Sequence, residues 1–229
     1  MAVHQLNIWS GEGGAKMGWY RRLMLAAVVL PLVGCNYGDD AAGNSPGWDL
    51  KPLAPDATAV TATEKMPGQY PAGSRIKDRE ALRGFGPCDN YPKDLGGKEW
   101  GAKGDVSLVA FPDEPVAYFK HRGFALRLIN WTGEAVPFAA CDSMLMLIRE
   151  AKDEGGAWRE IETPQQPICG NSFHRVFLGP RQYWEFPARE YAGRIKTKLR
   201  FRLDPGPGRP AIYSNEFDGN VTPAQLGGK

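Results

Sequence analysis

From Ile195 to Asp204 the chain alternates without interruption. Ile195, Thr197, Leu199, Phe201 and Leu203 take one parity; Lys196, Lys198, Arg200 and Arg202 take the other. A period of two fits a β-strand and no helix, because successive side chains of a strand leave opposite faces. The segment therefore predicts a strand with one core face and one cationic face, and any fold must supply a sheet to receive it.

The surrounding sequence supplies one. Short apolar runs recur across residues 105–229 at Val106–Phe111, Gly123–Trp131, Ala135–Cys141, Met144–Lys152, Trp158–Thr163, Phe173–Gly179, Tyr183–Ala188, Arg194–Asp204 and Ala211–Phe217. Thr132-Gly133, Asp153-Glu154-Gly155-Gly156 and Gly179-Pro180 lie between them. Gly supplies positive φ and Pro a preset φ, so these are turn signals. No helical period of useful length appears. Many short strands at regular spacing predict an all-β antiparallel sandwich of about seven to nine strands. Met144–Ile148 is apolar at both parities, as expected of a strand covered on both faces.

The N-terminal part reads differently. Arg21-Arg22 precede Leu23–Gly34, 12 residues without a charge, and then comes Cys35. A basic region before a short apolar stretch is a signal-peptide pattern, and the stretch is too short to span a bilayer. Leu32-Val33-Gly34-Cys35 resembles the bacterial lipobox. That resemblance implies cleavage of a 1–34 leader and lipidation of Cys35, with palmitate-type acyl chains placed in a bilayer. Met17 fits the start of such a leader better than Met1, which places the true start 16 residues later. Asn36 after the Cys, by resemblance to enterobacterial sorting rules, favours the outer membrane where the cell has one. The expected localisation is the bacterial cell envelope.

Residues 35–104 hold few large aliphatic side chains and many Pro and Gly, a composition suited to an irregular tether. As free coil, the segment 36–104 would reach about 45 Å. A short helix is predicted near Ile76–Arg83, stopped by Gly84. The formal charge is +2, and the leader carries all of the excess, so the chain from Cys35 onward holds 25 basic and 25 acidic residues. That balance argues against a nucleic-acid partner.

Leu178-Gly-Pro-Arg-Gln-Tyr-Trp-Glu-Phe186, then Tyr191-Ala-Gly193 and the long alternating strand, resemble the second half of bacterial immunoglobulin-like domains. With Cys169-Gly-Asn-Ser-Phe-His174 in front, the pattern also resembles uncharacterised bacterial lipoproteins. The resemblance implies an immunoglobulin-like sandwich and no activity.

Candidate chemistry is sparse. In an oxidising compartment Cys88, Cys141 and Cys169 are expected to pair, and Cys141–Cys169 is favoured because both sit at strand ends. Cys88 with either of the others is the alternative. A metal site from Cys141, Cys169 and His174, with His121 or Asp142 as a fourth ligand, is the weaker reading, since no CxxC, HxH or HExxH occurs. Ser172 and His174 share a strand parity, but parallel side chains at i and i+2 converge poorly on a substrate. No cofactor is expected. Lys196, Lys198, Arg200 and Arg202 are the candidate binding residues; alternatively they pair across strands with Glu160, Glu162 or Glu185. The expectation is therefore a lipid-anchored, non-catalytic binding or envelope-structural module, facing an envelope protein or polysaccharide. Two alternatives remain open. One is a metal-dependent or Ser/His enzyme at Cys169–His174. The other is an accessory subunit docking through strand 195–204.

Overall fold

The computed structural model describes residues 49–81, 86, 88–164 and 171–228. The leader 1–34, Cys35 and Cys169 lie outside them. The fold is an all-β antiparallel sandwich. Among the described residues, nine strands have three or more residues, and seven two-residue ladders join them.

The first sheet has the order β3 (Lys93–Asp94), β12 (Gln182–Arg189), β5 (His121–Asn130), β4 (Val106–Tyr118). The second runs β15 (Ile212–Tyr213), β14 (Ile195–Leu203), β8 (Leu147–Lys152), β9 (Trp158–Glu160). Its β16 (Phe217–Val221) also pairs with β14. A third sheet joins β11 (Phe173–Leu178), β6 (Val136–Cys141) and β7 (Met144–Leu145).

The alternating strand behaves as its pattern requires. Leu199, Phe201 and Leu203 are buried with Leu126, Leu128, Trp184 and Phe186 of the first sheet in one core. β4 runs past the expected end at Phe111, because a register shift between Phe111 and Pro115 lets it bulge and resume pairing with β5. Met144–Lys152 is broken at Met146. The chain leaves the third sheet at Leu145 and enters the second at Leu147. The doubly covered strand is instead β5, buried at every residue from Gly123 to Asn130.

That double cover comes from the segment read as a tether. Residues 49–104 form little regular structure, but the described part is packed on the sandwich. Two short parallel ladders, β1 (Val60–Thr61) on β13 (Tyr191–Ala192) and β2 (Met66–Pro67) on β10 (Glu162–Thr163), hold it. Ala62, Tyr70 and Ala72 enter the main core. Leu95, with Ile129, Trp131 and Tyr183, forms a second apolar cluster, against which Trp100 packs. The Trp131 indole N–H donates to the Trp100 carbonyl at 2.5 Å. One Tyr, two Ala and one Leu supply burial that an aliphatic count misses, because an aromatic ring buries a large area by itself. The expected helix is absent from its described part, 76–81. There Asp78 accepts hydrogen bonds from the Arg175 backbone and guanidinium, which fix the segment to β11 in irregular form.

Candidate functional site

The even-parity side chains of β14 lie on the outer face of the second sheet, as the pattern predicts. Lys198 meets Asp218 of β16 at 2.8 Å. Arg200 pairs with Glu150 of β8 at 2.7 Å, and Arg202 reaches Glu150 at 3.0 Å and also Glu160 of β9. Glu150 and Glu160 stand directly opposite one another, an arrangement that is unfavourable for like charges. Arg202 bridges the two. Lys196 is exposed opposite Asn220.

Two of the three acids expected to pair with the stripe do other work. Glu185 faces away on the first sheet and holds Arg127 and Lys93. Glu162 has left β9 for β10 and points into the core. Aromatic rings complete the outer face. The Arg200 guanidinium lies 4.1 Å from the ring centres of both Trp158 and Tyr213, and Lys152 lies over Trp158. Tyr213 is among the most exposed large apolar side chains. The result is a flat platform of rings with paired charges beside them, capable of stacking and of hydrogen bonding but largely neutral.

The Cys–His region forms a separate cluster. Cys141 ends β6 and is buried; a two-residue turn, Asp142 and Ser143, both at positive φ, leads into β7. Positive φ at both central residues is the hairpin geometry that matches strand twist. His174 Nδ1 is 3.1 Å from the Ser172 carbonyl, and Nε2 is 3.4 Å from Ser143 Oγ. The Ser143 hydroxyl donates to the Gly86 carbonyl at 2.8 Å. Burial lowers the His174 pKa below that of a free imidazole. Ser172 thus offers His174 a backbone carbonyl, while Ser143 is the hydroxyl nearest the ring. His121 sits in the first sheet, away from this cluster. Among the described residues no three His, Cys, Asp or Glu side chains gather as a metal site. The proposed Cys141–Cys169 bond involves a residue outside the described set. Cys88 is an unbonded thiol, pushed up to about 11 by burial.

The interior holds a third arrangement that the sequence reading missed. Arg149 is fully buried, with its guanidinium over the rings of Phe201, Tyr191 and Phe124. Its Nη1 donates to the Arg189 carbonyl at 2.6 Å, and Nη2 lies 3.6 Å from Glu162 Oε1. Glu162 accepts from the Tyr70 and Tyr191 hydroxyls at 2.7 and 3.0 Å. Arg189 donates to the Tyr191 and Tyr118 hydroxyls. Burial, then the charge of Glu162, pushes the Tyr70 hydroxyl well above its ordinary pKa, so it stays a donor. Burial opposes the Arg149 charge, but Glu162 and the tyrosines outweigh it and the pKa is raised. The signal was legible: Arg149 shares parity with Leu147 and Ala151, so it belongs on the core face of its strand.

No protein-family model matches the sequence, and comparison with curated proteins gave no match.

Proposed function

We propose that the chain is a membrane-anchored lipoprotein of the bacterial envelope, held at Cys35, whose sandwich is a non-catalytic module binding an envelope polysaccharide. The anchor rests on the basic, apolar, Leu32-Val33-Gly34-Cys35 order of the leader. Acyl chains contribute about 0.8 kcal/mol per buried CH2, and two or more hold a protein stably on a bilayer. Lys51 already accepts a hydrogen bond from Ala117 of β4, and it lies 16 residues after Cys35. Fully extended, those residues span at most about 55 Å, and as random coil about 20–25 Å. The module thus works close to the membrane surface.

The observation that carries the binding reading is the Trp158–Arg200–Tyr213 stack on an otherwise flat sheet face. Sugar rings offer apolar C–H faces and a fringe of hydroxyls. Tyr213 suits the first, and Glu150, Glu160 and Arg202 suit the second. Anionic headgroups are a poorer match, because Lys198, Arg200 and Arg202 already have carboxylate partners.

Two measurements test this. Protein extracted from native membranes should show an intact mass carrying acyl chains on Cys35; an unmodified mass, with the protein in the soluble fraction, rejects the anchor. Purified protein should co-sediment with isolated cell-wall polysaccharide, at least fivefold less after Tyr213→Ala. Unchanged sedimentation in that variant, or salt-sensitive binding to anionic vesicles alone, rejects the platform.

A further inference from the structure

The side of the sandwich between β4 and β16 is open. At the β4 bulge, residues 112–114 leave the ladder. On β16 the middle residue is Gly219, where an added Cβ would stand 2.4 Å from Leu199 Cδ1. Behind the gap lies a cavity of ≈ 200 Å³, with Phe124, Leu199 and Phe217 as apolar lining and Arg149 also lining it. Arg122 and Glu190, paired with each other at 3.0 Å and both substantially exposed, flank its mouth.

We propose that this cavity binds a small monocarboxylate with a short apolar tail, and that Arg149 receives the carboxylate. The inference is independent of the polysaccharide platform, which lies on the outer face of the second sheet.

Three observations carry it. First, Arg149 Nε and Nη2 have no hydrogen-bond partner among the described residues. A buried guanidinium leaving two donors unpaired is costly, and such a group calls for a ligand or ordered water. Nε–H and one Nη2–H lie side by side, the fork that matches the two oxygens of a carboxylate. Second, the internal acid cannot use that fork. Glu162 stands 3.6 Å from Nη2, and its oxygens already accept two tyrosine hydroxyls and the Arg149 backbone N–H. Third, the charges do not balance. Arg149 and Arg189 share this interior network with a single carboxylate, Glu162. Arg122 is already matched by Glu190, and Asp218 by Lys198. One monoanion neutralises the excess, whereas a cation or a dianion does not.

Size sets the tail. At about 30 Å³ per water, the cavity has room for about seven non-hydrogen atoms. Pentanoate fills that space, with its alkyl chain against Phe124, Leu199 and Phe217.

The test titrates the protein from Cys35 onward, with Cys35→Ser replacing the lipidated residue, with pentanoate and with its neutral isostere pentanamide. Thermal shift and calorimetry serve as readouts. Pentanoate should bind with a ligand-dependent rise in Tm, and pentanamide at least tenfold more weakly. The double variant Arg149→Met with Glu162→Gln removes the fork while keeping the interior charge at the same excess, and it should lose the shift. Gly219→Ala narrows the cavity without touching Arg149, and it should weaken binding severalfold. Equal binding of acid and amide overturns the proposal, as does no binding of either, which would leave water as the occupant. A folded double variant that still binds also overturns it. If the double variant fails to fold, the acid–amide comparison on the unaltered site decides.

Discussion

Arg149 and Glu162 face each other 3.6 Å apart inside the sandwich, with side chains 0% and 1% exposed. Coulomb attraction at that separation is strong in a low-dielectric interior, but desolvating both ions costs several kcal/mol apiece. Hydrogen bonds from Tyr70 and Tyr191 to Glu162 offset part of this. They also tie residue 70 of the N-terminal segment to residues 162 and 191 of the sandwich, so the pair fixes how that segment lies.

Removing one partner should therefore cost far more than removing both. Glu162→Ala leaves the Arg149 charge buried without its acid, and we expect a loss of about 3–5 kcal/mol in urea unfolding. Arg149→Met with Glu162→Gln should cost clearly less, because no buried ion of this pair remains. A single variant no worse than the double one would show that the pair is not coupled.

The outer ladder should rank by burial. Glu150 serves both Arg200 and Arg202 and is largely covered, so Glu150→Ala is expected to cost about 1–3 kcal/mol. The Lys198–Asp218 pair is exposed, and Lys198→Ala should change stability by under about 1 kcal/mol, with the small effect screened by salt. Denaturant midpoints of the two variants, at low and high salt, give the comparison.

Acid stability should depend on Asp78. Side-chain hydrogen bonds from Arg175 come first among the causes that hold its carboxyl at about 2 in the folded protein. The folded pKa lies below the unfolded one, so this contribution is full above about pH 4. It disappears as pH falls toward 2. Arg175 is partly exposed, which screens the interaction, and about 1 kcal/mol is expected. Asp78→Asn should flatten the stability profile between pH 4 and 2 while leaving the profile above pH 5 parallel to that of the parent.

The strand pattern was legible wherever alternation or apolar runs carried it. Ile195–Asp204 and Phe173–Gly179 match the observed β14 and β11 to within a residue. What escaped was set by tertiary contact. Pro112, Asp113 and Glu114 end an apolar run, yet a bulge lets β4 continue beyond them. Tyr70, Ala72 and Leu95 sit among Pro and Gly, and nothing local says that a single bridge or ring will bury each of them. The outer cationic face was read from parity, but its acids were misassigned, because Glu162 changes partner strand between β9 and β10. Arg149 was overlooked although its parity placed it inside.

A last prediction concerns Gly193, which follows β13 and sits against the end of β16. An added Cβ there would stand 2.2 Å from both the carbonyl carbon and oxygen of Val221. These are backbone atoms of a strand paired to β14, with Val221 opposite Ile195 and fully buried. A flexible side chain could swing aside, but a laddered backbone must shift as a unit. Gly193→Ala should therefore destabilise the protein by about 1–3 kcal/mol, the usual range for overpacking. Gly133→Ala is the control, since nothing lies within 4 Å of its added Cβ, and it should change stability by about 0.5 kcal/mol or less. Hydrogen exchange distinguishes the mechanism: Gly193→Ala should speed exchange at the β14–β16 ladder before the β5–β12 ladder. Equal effects from the two substitutions would mean that the Val221 crossing is looser than its geometry implies.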